Sequence, residues 1–421
     1  MSTSAAPAIT PQQPVLRWTA RAHSIAEVEE ELARIWAGQD LTAEVDGTPG
    51  RHVGARTSVM NLVVIARRPE IAERSAATIQ ALTGRHPSRT IVVQSADPDG
   101  PSWLDARVEA HCILPHEDAP ETCAETIHLV AGGDAGRHLP AIVMPLLIHD
   151  LPVTVWWPGE PPFTSRAAQD LLAHADRLVV DGSSWSGDGL QRLREMAELL
   201  DTTRLAISDF ALVRQSRWRE AIASIFDHAD FLPYLRALRR IAVTYATHDE
   251  TGSPGSTNLV KPLYHVGWLA SRLGLAVVKP LTVVSGPSAS AARSSRPAPG
   301  TRPVAGRGMA ATLREGHTEV TVVMRPVVST APAGTTLRVE LLAERRGSEL
   351  RADVTAEAET VHVRVWQDGV EAFDRHFLAP RRNDVDLLAE AIEAGRRDTV
   401  AIGALRAAAA LVNPDVSGSG S

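Results

Sequence analysis

Two histidines and two cysteines lie between residues 111 and 123, and they are the first candidates for a metal or redox site. The candidate ligands are His111, Cys112, His116 and Cys123. Structural zinc sites pair their ligands at short fixed spacing such as Cys-x-x-Cys, and these residues do not. Because His111 and Cys112 are adjacent on a predicted strand, their side chains would point to opposite faces. The pattern favours two buried, apolar cysteines over a metal site or a redox-sensing thiol pair.

Three glycines in the segment AGGDAGRH, residues 131–138, could hold an anion. The segment follows a possible strand and precedes a helix, so the backbone around Gly132, Gly133 and Gly136 could cradle a phosphate. It lacks the Lys-Ser/Thr ending of a nucleoside triphosphate loop and the spacing of a dinucleotide fingerprint. A glycine-rich turn is therefore the favoured interpretation.

Two carboxylates could serve acid–base chemistry. Asp181 and Asp209 each follow a predicted strand, at the edge where open α/β sheets bind ligands. Capping of the next helix is the default role of Asp209. The nearby segment DGSSWSGDG approaches a nucleophile elbow, but Ser186 stands where the second glycine belongs. None of these patterns completes a catalytic site, and we expect no catalytic residue, no cofactor and no metal.

Tryptophan supplies half of the aromatic residues, with 9 Trp against 6 Phe and 3 Tyr. Trp156 and Trp157 end an apolar run, and Trp218 lies between Arg217 and Arg219 on a predicted helix. Trp and Arg are enriched among residues that anchor protein interfaces. These five residues are the candidate partner-binding residues. The alternative is that the three indoles pack in the core, where buried indoles are common.

Composition restricts the class of protein. The chain of 421 residues is 44% hydrophobic and 22% charged, which is typical of a soluble protein with two or three domains. A formal net charge of -7 argues against a nucleic-acid surface. The apolar segment 139–162 is interrupted by prolines, so it is too short to span a membrane. With no signal-peptide pattern and two cysteines, we expect a cytoplasmic protein that binds neither nucleic acid nor membrane.

The first two-thirds of the chain alternates between apolar strands and amphipathic helices, which predicts a sheet covered on both faces. An amphipathic helix is predicted over 24–38, with Ser24 as its N-cap. The expected strands include RTSVMNLVVIA, RTIVVQ, RVEAHCIL, TIHLVAGG, residues 153–157, RLVVDG and RLAISD. The expected helices cover residues 69–84, 135–148, 164–174, 188–200, 210–228 and 257–271.

Beyond residue 306 the hydrophobic period changes to two. Five segments (TEVTVVMR, LRVELL, LRADVT, VHVRVW and EAFDRHF) predict an antiparallel meander with one wet face, and Asp368–Gly369 predicts its last hairpin turn. Helices near 384–395 and 397–411 are expected to cover the other face.

The predicted fold class is thus α/β: a mixed sheet with helices in the N-terminal two-thirds, and an antiparallel β-meander with covering helices at the C-terminus. We expect an N-terminal α/β domain over 1–160 and a C-terminal α/β domain over 161–413. The second domain carries a disordered inserted loop at about 285–306, and a flexible tail follows over 414–421.

Several segments, taken in order, resemble the glucose-6-phosphate dehydrogenase assembly protein family, OpcA. They are RTSVMNLVVIA, HPSRTIVV, AIVMPLLIHDLPVTVWWPGEPP, ADRLVVDGSSW and SDFALVRQSRWREAIASIFD. The chain departs from the family pattern at Gly182, which separates Asp181 from Ser183. It departs again over 211–217, which read ALVRQSR without the usual Trp and Thr-Pro.

The resemblance implies a non-enzymatic protein that binds glucose-6-phosphate dehydrogenase and favours its active oligomer in the oxidative pentose phosphate pathway. Two other classes stay open on the residues alone. One is an α/β enzyme or sensor that binds a small anionic metabolite at the Gly132–Gly136 loop and Asp181. The other is a nucleic-acid module that uses Arg214, Arg217 and Arg219.

Overall fold

A computed structural model describes residues 15–37, 43–45, 48–50, 55–97, 99–113, 122–251, 255–285, 302–303, 307–395 and 398–412. The predicted tail, nearly all of the predicted loop at 285–306, and His116 therefore lie outside the described residues. The chain divides into two compact units. The first contains residues 1–159 and 165–178, and the second contains residues 160–164 and 179–421.

The first unit alternates strands and helices, as the sequence predicts. Its strands are β1 (Val15–Ala22), β2 (Ala43–Val45), β3 (Thr48–Gly50), β4 (Ala55–Arg56), β5 (Met60–Ala66), β6 (Ser88–Ser95), β7 (Trp103–Ile113), β8 (Thr122–Gly132), β9 (Val153–Trp157) and β10 (Arg177–Val180), whose last two residues belong to the second unit. Its helices are α1 (Ile25–Ala37), α2 (Pro69–Gln80), α3 (Gly133–Arg137), α4 (Leu139–Val143) and α5 (Arg166–Leu172), with a 3-10 turn at Met144–Leu146.

The second unit holds the rest. Its strands are β11 (Ala206–Asp209), β12 (Leu238–Thr247), β13 (Ala276–Ser285), β14 (Arg302–Pro303), β15 (Arg307–Glu315), β16 (Thr318–Val328), β17 (Thr336–Arg345), β18 (Ser348–Ala356), β19 (Thr360–Gln367) and β20 (Val370–Leu378). Its helices are α6 (Leu190–Thr202), α7 (Phe210–Val213), α8 (Ser216–Phe226), α9 (Val260–Leu273), α10 (Asp384–Glu393) and α11 (Thr399–Ala410), with 3-10 turns at Gly182–Ser184 and Leu232–Ala237.

The first sheet has the strand order β1-β7-β8-β6-β5-β9-β10-β11, with β4 beside β8. Strands β8, β6, β5 and β9 run parallel to one another. Strand β7 pairs antiparallel with β8, and β1 pairs antiparallel with β7. Every residue of β5 is buried, as expected for a central strand covered on both faces. The mixed α/β prediction for this part is confirmed.

Local signals set several helix ends. At the start of α1 the Ser24 hydroxyl accepts from the Glu27 amide (3.2 Å), and the Glu27 carboxylate accepts from the His23 amide (2.8 Å). The Ser24 contact is the N-cap bond of a capping box, and Glu27 reaches one residue further back than in the usual box. The Ser24 cap confirms the predicted helix start. Helix α2 begins at Pro69, whose missing N–H costs nothing at a first helical position.

Two predicted helices are broken. The helix expected over 135–148 consists of α3, α4 and a 3-10 turn. His138 is not helical, and Pro140 and Pro145 lie in the first positions of α4 and of the 3-10 turn, where a proline is tolerated. The helix expected over 210–228 divides into α7 and α8, because Gln215 leaves the helical conformation. Among the described residues, no helix is long and apolar enough to cross a membrane.

The second sheet has the order β13-β15-β16-β12-β17-β18-β19-β20, with β14 beside β16. Strands β17 to β20 form an antiparallel meander, and Asp368–Gly369 forms its last turn with positive φ at both residues. The predicted five-strand meander is wrong at one place. Strand β12 lies between β16 and β17, parallel to β16, because its apolar run over 238–247 is the central strand.

The inner face of this sheet is apolar, and helices from its own unit cover it. Helix α8 contacts β18, β19 and β20, and α9 contacts β12 and β17. The two C-terminal helices were predicted to cover this face. Helix α10 instead packs on α7, and α11 packs mainly on α9 and α6 and contacts the sheet at β13. The opposite face carries charged side chains, as the alternating sequence predicts, but it is not wet throughout, because Arg338, Glu340 and Asp353 are buried in ion pairs there.

Candidate functional site

Trp156 and Trp157 occupy the end of β9, where the sequence predicts a strand. Their side chains are 2% and 3% exposed. Consecutive strand residues point to opposite faces, so the burial of both shows that both faces of β9 are covered. The structure therefore supports the packing alternative for these two residues, and neither indole is available to a partner in this conformation.

The cysteines are corrected as well. Cys112 and Cys123 form a disulfide, where the sequence favoured two free, buried thiols. They are direct cross-strand partners of β7 and β8, a register that spacing alone does not reveal. With both sulfurs bonded to each other, these cysteines do not join His111 in a metal site.

The glycine loop is filled by protein. A Cβ on Gly132 would meet the Trp103 ring, and one on Gly133 would meet the backbone of Gly100 and Pro101 at 2.7 Å. The Gly133 amide donates to the Asp97 carbonyl, and Ala135 donates to the Ser102 hydroxyl. Gly132 and Gly133 thus permit close packing against residues 99–103, which agrees with the interpretation of this segment as a glycine-rich turn. The structure offers no support for anion binding at these two glycines.

Asp181 and Asp209 meet at the ends of β10 and β11, within the second unit. The Asp209 carboxylate is 3% exposed and accepts from the Gly182 amide (2.9 Å), the Ala211 amide (2.8 Å) and the Tyr264 hydroxyl (2.9 Å). It caps α7, which is the role the sequence favoured. A Cβ added to Gly182 would lie only 2.6 Å from an Asp209 oxygen. A larger residue at this position would therefore displace the Asp209 carboxylate.

Asp181 is held by Arg214. One guanidinium nitrogen donates to both Asp181 oxygens at 2.8 Å, and the Ser183 hydroxyl donates to the same carboxylate at 2.5 Å. The break between α7 and α8 places Arg214 here. Arg214 therefore pairs with Asp181 and does not lie with Arg217 and Arg219, with which the sequence analysis grouped it.

Burial and the neighbouring Asp181 charge raise the pKa of Asp209 to about 6. Burial, and next the charge of Arg214, lower the pKa of Lys261, whose carbonyl accepts from Gln215 (2.7 Å). This cluster (Asp181, Asp209, Arg214, Lys261 and Tyr264) joins β10, β11, α7 and α9. No sequence pattern pointed to Lys261 or Tyr264, because both lie more than 50 residues beyond Asp209 in the chain.

We expect Asp209→Asn to remove a pH dependence of stability. The folded pKa lies above the unfolded value of 3.8, so the fold favours the neutral carboxyl. As pH rises from about 4 to about 6, wild type should lose up to about 3 kcal/mol of unfolding free energy relative to the Asn variant. Urea denaturation across this range measures the difference. A constant difference between the two proteins from pH 4 to pH 7 would contradict the raised pKa.

Helix α8 carries three predicted contact residues, and two of them, Trp218 and Arg219, hold the helix against its neighbours. Trp218 is half-buried and packs on His265 of α9, with ring centroids 5.1 Å apart. Burial lowers the pKa of His265 to about 3, so this imidazole is neutral. Arg219 donates to the Leu212 carbonyl (2.6 Å), and burial lowers the pKa of its guanidinium.

Arg217 is the exposed member of this group. Its side chain is 58% exposed and pairs with Glu220, also exposed, at 2.7 Å. Of the five predicted partner-binding residues, Arg217 and part of Trp218 thus lie at the surface of the second unit.

Comparison with known proteins gives two matches along the chain. Residues 79–198 match the family model described as the glucose-6-phosphate dehydrogenase subunit N-terminal domain, and residues 205–401 match that of the C-terminal domain. Together these ranges cover most of the chain.

Curated relatives of the chain carry the name OxPP cycle protein OpcA. The one from Synechocystis sp. is 30% identical over 172 residues, which are 40% of this chain and 34% of the relative. The one from Nostoc punctiforme is 26% identical over 260 residues, which are 61% of this chain and 48% of the relative. The chain thus matches less than half the length of either relative.

Solved structures show a weaker likeness. The transcriptional regulator Gal80p from Kluyveromyces lactis is 11% identical, covering 81% of this chain and 86% of its own, with a TM-score of 0.40. An aldose–aldose oxidoreductase from Caulobacter crescentus is 12% identical, covering 82% and 95%, also with a TM-score of 0.40. A likeness at this level supports no inference about function.

Proposed function

Because this chain belongs to the glucose-6-phosphate dehydrogenase assembly protein family, OpcA, we propose that it is a non-catalytic assembly factor and allosteric activator of glucose-6-phosphate dehydrogenase. The observation that carries this proposal is the match of both family models, in order, over residues 79–198 and 205–401. The proposed role belongs to the oxidative pentose phosphate pathway, and the proposed location is the cytoplasm. Nucleic acid and membrane are not proposed as partners.

The proposed mechanism is differential binding. A protein that binds the active oligomer of an enzyme more tightly than the inactive form shifts the population toward the active form. A coupling free energy of about 3 kcal/mol corresponds to roughly a hundredfold change in affinity. No reactive group of this chain is required. The chemistry of the candidate cluster agrees with that, since the carboxylates of Asp181 and Asp209 are already occupied by Arg214, Tyr264 and backbone amides.

We propose the exposed side of α8 as the surface that contacts the dehydrogenase. Arg217 and the exposed part of Trp218 would make the contact, and Arg219 would act as a positioning residue that holds the helix from inside. The support is that Trp218 is already seated on His265, so little side-chain freedom remains to be lost on binding. Trp and Arg are also the residue types that most often dominate binding energy.

The function is tested by dehydrogenase kinetics and size-exclusion chromatography with the enzyme from the same genome, with and without this protein. We expect co-elution, a larger share of the active oligomer and a higher activity. Unchanged kinetics together with separate elution would overturn the proposed function.

The surface is tested separately by Arg217→Glu, which we expect to weaken binding by about tenfold or more through charge reversal at a contact. Arg166→Glu on α5 is the matched control. Arg166 is also exposed (93%) and also faces an acidic helix neighbour, Asp170. Affinity is measured by isothermal titration calorimetry. Equal affinities of the two variants would show that α8 is not the docking surface, whether or not the proposed function holds.

A further inference from the structure

Two histidines face each other at the end of the second sheet. His362 on β19 and His376 on β20 are direct cross-strand partners. Their rings are stacked with centroids 4.0 Å apart and an interplanar angle of 11°. Both belong to the polar face of the sheet, and β20 is its last strand. This places two imidazoles side by side at an accessible edge.

Glu357, in the turn between β18 and β19, bridges the two rings. One carboxylate oxygen lies 3.4 Å from Nδ1 of His362, and the other lies 3.2 Å from Nδ1 of His376. The turn fixes the carboxylate, because the Thr360 hydroxyl donates to it at 3.0 Å and the Glu357 amide donates to the Thr360 carbonyl at 3.0 Å. The ligand atoms of all three residues lie within 4.8 Å of one another.

Asp374 completes the arrangement from the other side. Its carboxylate lies 2.8 Å from Nε2 of His362. In metal sites the ring nitrogen that does not bind the metal usually donates to a carboxylate, which fixes the tautomer and the ring orientation. With a proton on Nε2 directed at Asp374, Nδ1 of His362 presents its lone pair to the space beside Glu357 and His376.

The separations between the three side chains are of the size that a shared metal ion requires. Two ligand atoms at about 2.0–2.1 Å from a tetrahedral zinc ion lie roughly 3.3 Å apart. Glu357 lies 3.4 Å from Nδ1 of His362 through one oxygen and 3.2 Å from Nδ1 of His376 through the other, separations of the same size. Because the two rings are nearly parallel, their Nδ1 lone pairs point side by side, and one imidazole must rotate for both to reach a single ion. His376 and Glu357 are 51% and 44% exposed, so their side chains have room to adjust.

We propose that Glu357, His362 and His376 bind a divalent metal ion of the zinc class, through one carboxylate oxygen and two Nδ1 atoms. Two imidazoles and one carboxylate form a ligand set that zinc accepts. Three protein ligands leave a fourth position for water or for a ligand from another molecule. Asp374 is a positioning residue that orients His362. This site is separate from the proposed α8 surface and does not depend on the proposed function.

The test uses the full chain without an affinity tag, stripped of metal and titrated with ZnCl₂ in a calorimeter. We expect one zinc equivalent per chain. His376→Ala should weaken binding by about a hundredfold or more, and Asp374→Asn by about tenfold or more. The matched control is His317→Ala, an exposed histidine in the turn between β15 and β16, which should change the affinity by less than about twofold.

Glu357→Gln keeps the size of the side chain and serves as a second variant if His376→Ala disturbs the edge strand. It should weaken zinc binding while the thermal unfolding of the metal-free protein stays unchanged. Cobalt gives an independent readout, because a tetrahedral Co²⁺ centre shows an intense visible absorption that both variants should abolish. The proposal is overturned if wild type shows no one-to-one zinc binding, or if His376→Ala and Glu357→Gln bind zinc as tightly as the His317 control.

Discussion

Replacing Trp156 by alanine is expected to lower the free energy of unfolding by about 3–5 kcal/mol. Trp156 is among the largest fully buried side chains of the chain, at 2% exposed. It belongs to β9, which pairs with the fully buried strand β5 and places Trp156 opposite Val64. Truncation removes a large apolar area and leaves a cavity that a central strand cannot collapse to fill. Urea denaturation of wild type and variant measures the loss.

Two controls make this result specific. Trp156→Phe keeps most of the volume and should cost less than the alanine change. Trp103→Ala truncates an indole that is 42% exposed and should cost no more than about 2 kcal/mol, in proportion to the smaller area it buries. A loss for Trp156→Ala no larger than that for Trp103→Ala would contradict the core assignment.

The Trp156→Phe variant also separates a packing role of Trp156 from a role in partner binding. If Trp156 serves only the core, Trp156→Phe should bind glucose-6-phosphate dehydrogenase with an affinity within about twofold of wild type, because a buried side chain contributes no contact area. Lost binding with unchanged stability would instead show that the strand opens and presents the indole to the partner.

Asp353→Ala is expected to destabilise the second unit by about 3–5 kcal/mol. Asp353, on β18, is 1% exposed and accepts from two guanidinium groups, those of Arg338 and Arg351. Arg338 itself is 8% exposed. Removing the carboxylate leaves a buried positive charge without its principal partner, and that desolvated charge is the main cost. Thermal and urea unfolding measure it.

Restoring neutrality should recover much of this loss. The double variant Arg338→Met with Asp353→Leu replaces the buried pair by apolar side chains, and such replacements are often neutral or stabilising. Asp201→Ala is the exposed control, because Asp201 accepts from Arg406 at 2.6 and 2.8 Å while both side chains are more than half exposed. It should cost less than about 1 kcal/mol. Equal losses for Asp353→Ala and Asp201→Ala would show that the ion pair at Asp353 is not effectively buried.

Elements with a strong local period were predictable from the sequence. Strands β5, β6, β9 and β16 to β20 and helices α2, α6 and α9 lie where the apolar period places them, within a few residues at their ends. The Asp368–Gly369 turn was predictable for the same reason, since its two residues tolerate positive φ. In these segments burial on one or both faces agrees with the local preference of the chain.

The candidate site was only partly predictable. The sequence placed Asp181 and Asp209 after strands and assigned the capping role to Asp209, and both features are present. It did not place Arg214 on Asp181, because that ion pair depends on the break at Gln215. It did not pair Cys112 with Cys123 or place His362 opposite His376, because each pairing requires the register of two antiparallel strands.

The amino-acid sequence by itself determined the α/β class, most strands and helices, and the family to which the chain belongs, because these depend on local period and on short runs of residues. The tertiary structure alone decided the insertion of β12 between β16 and β17, the burial of Trp156 and Trp157, and the gathering of Glu357, His362 and His376. Each of these results from contacts between residues that are distant in the chain or from strand register. Register and long-range pairing are chosen by the free energy of the whole packed sheet, which no local segment contains.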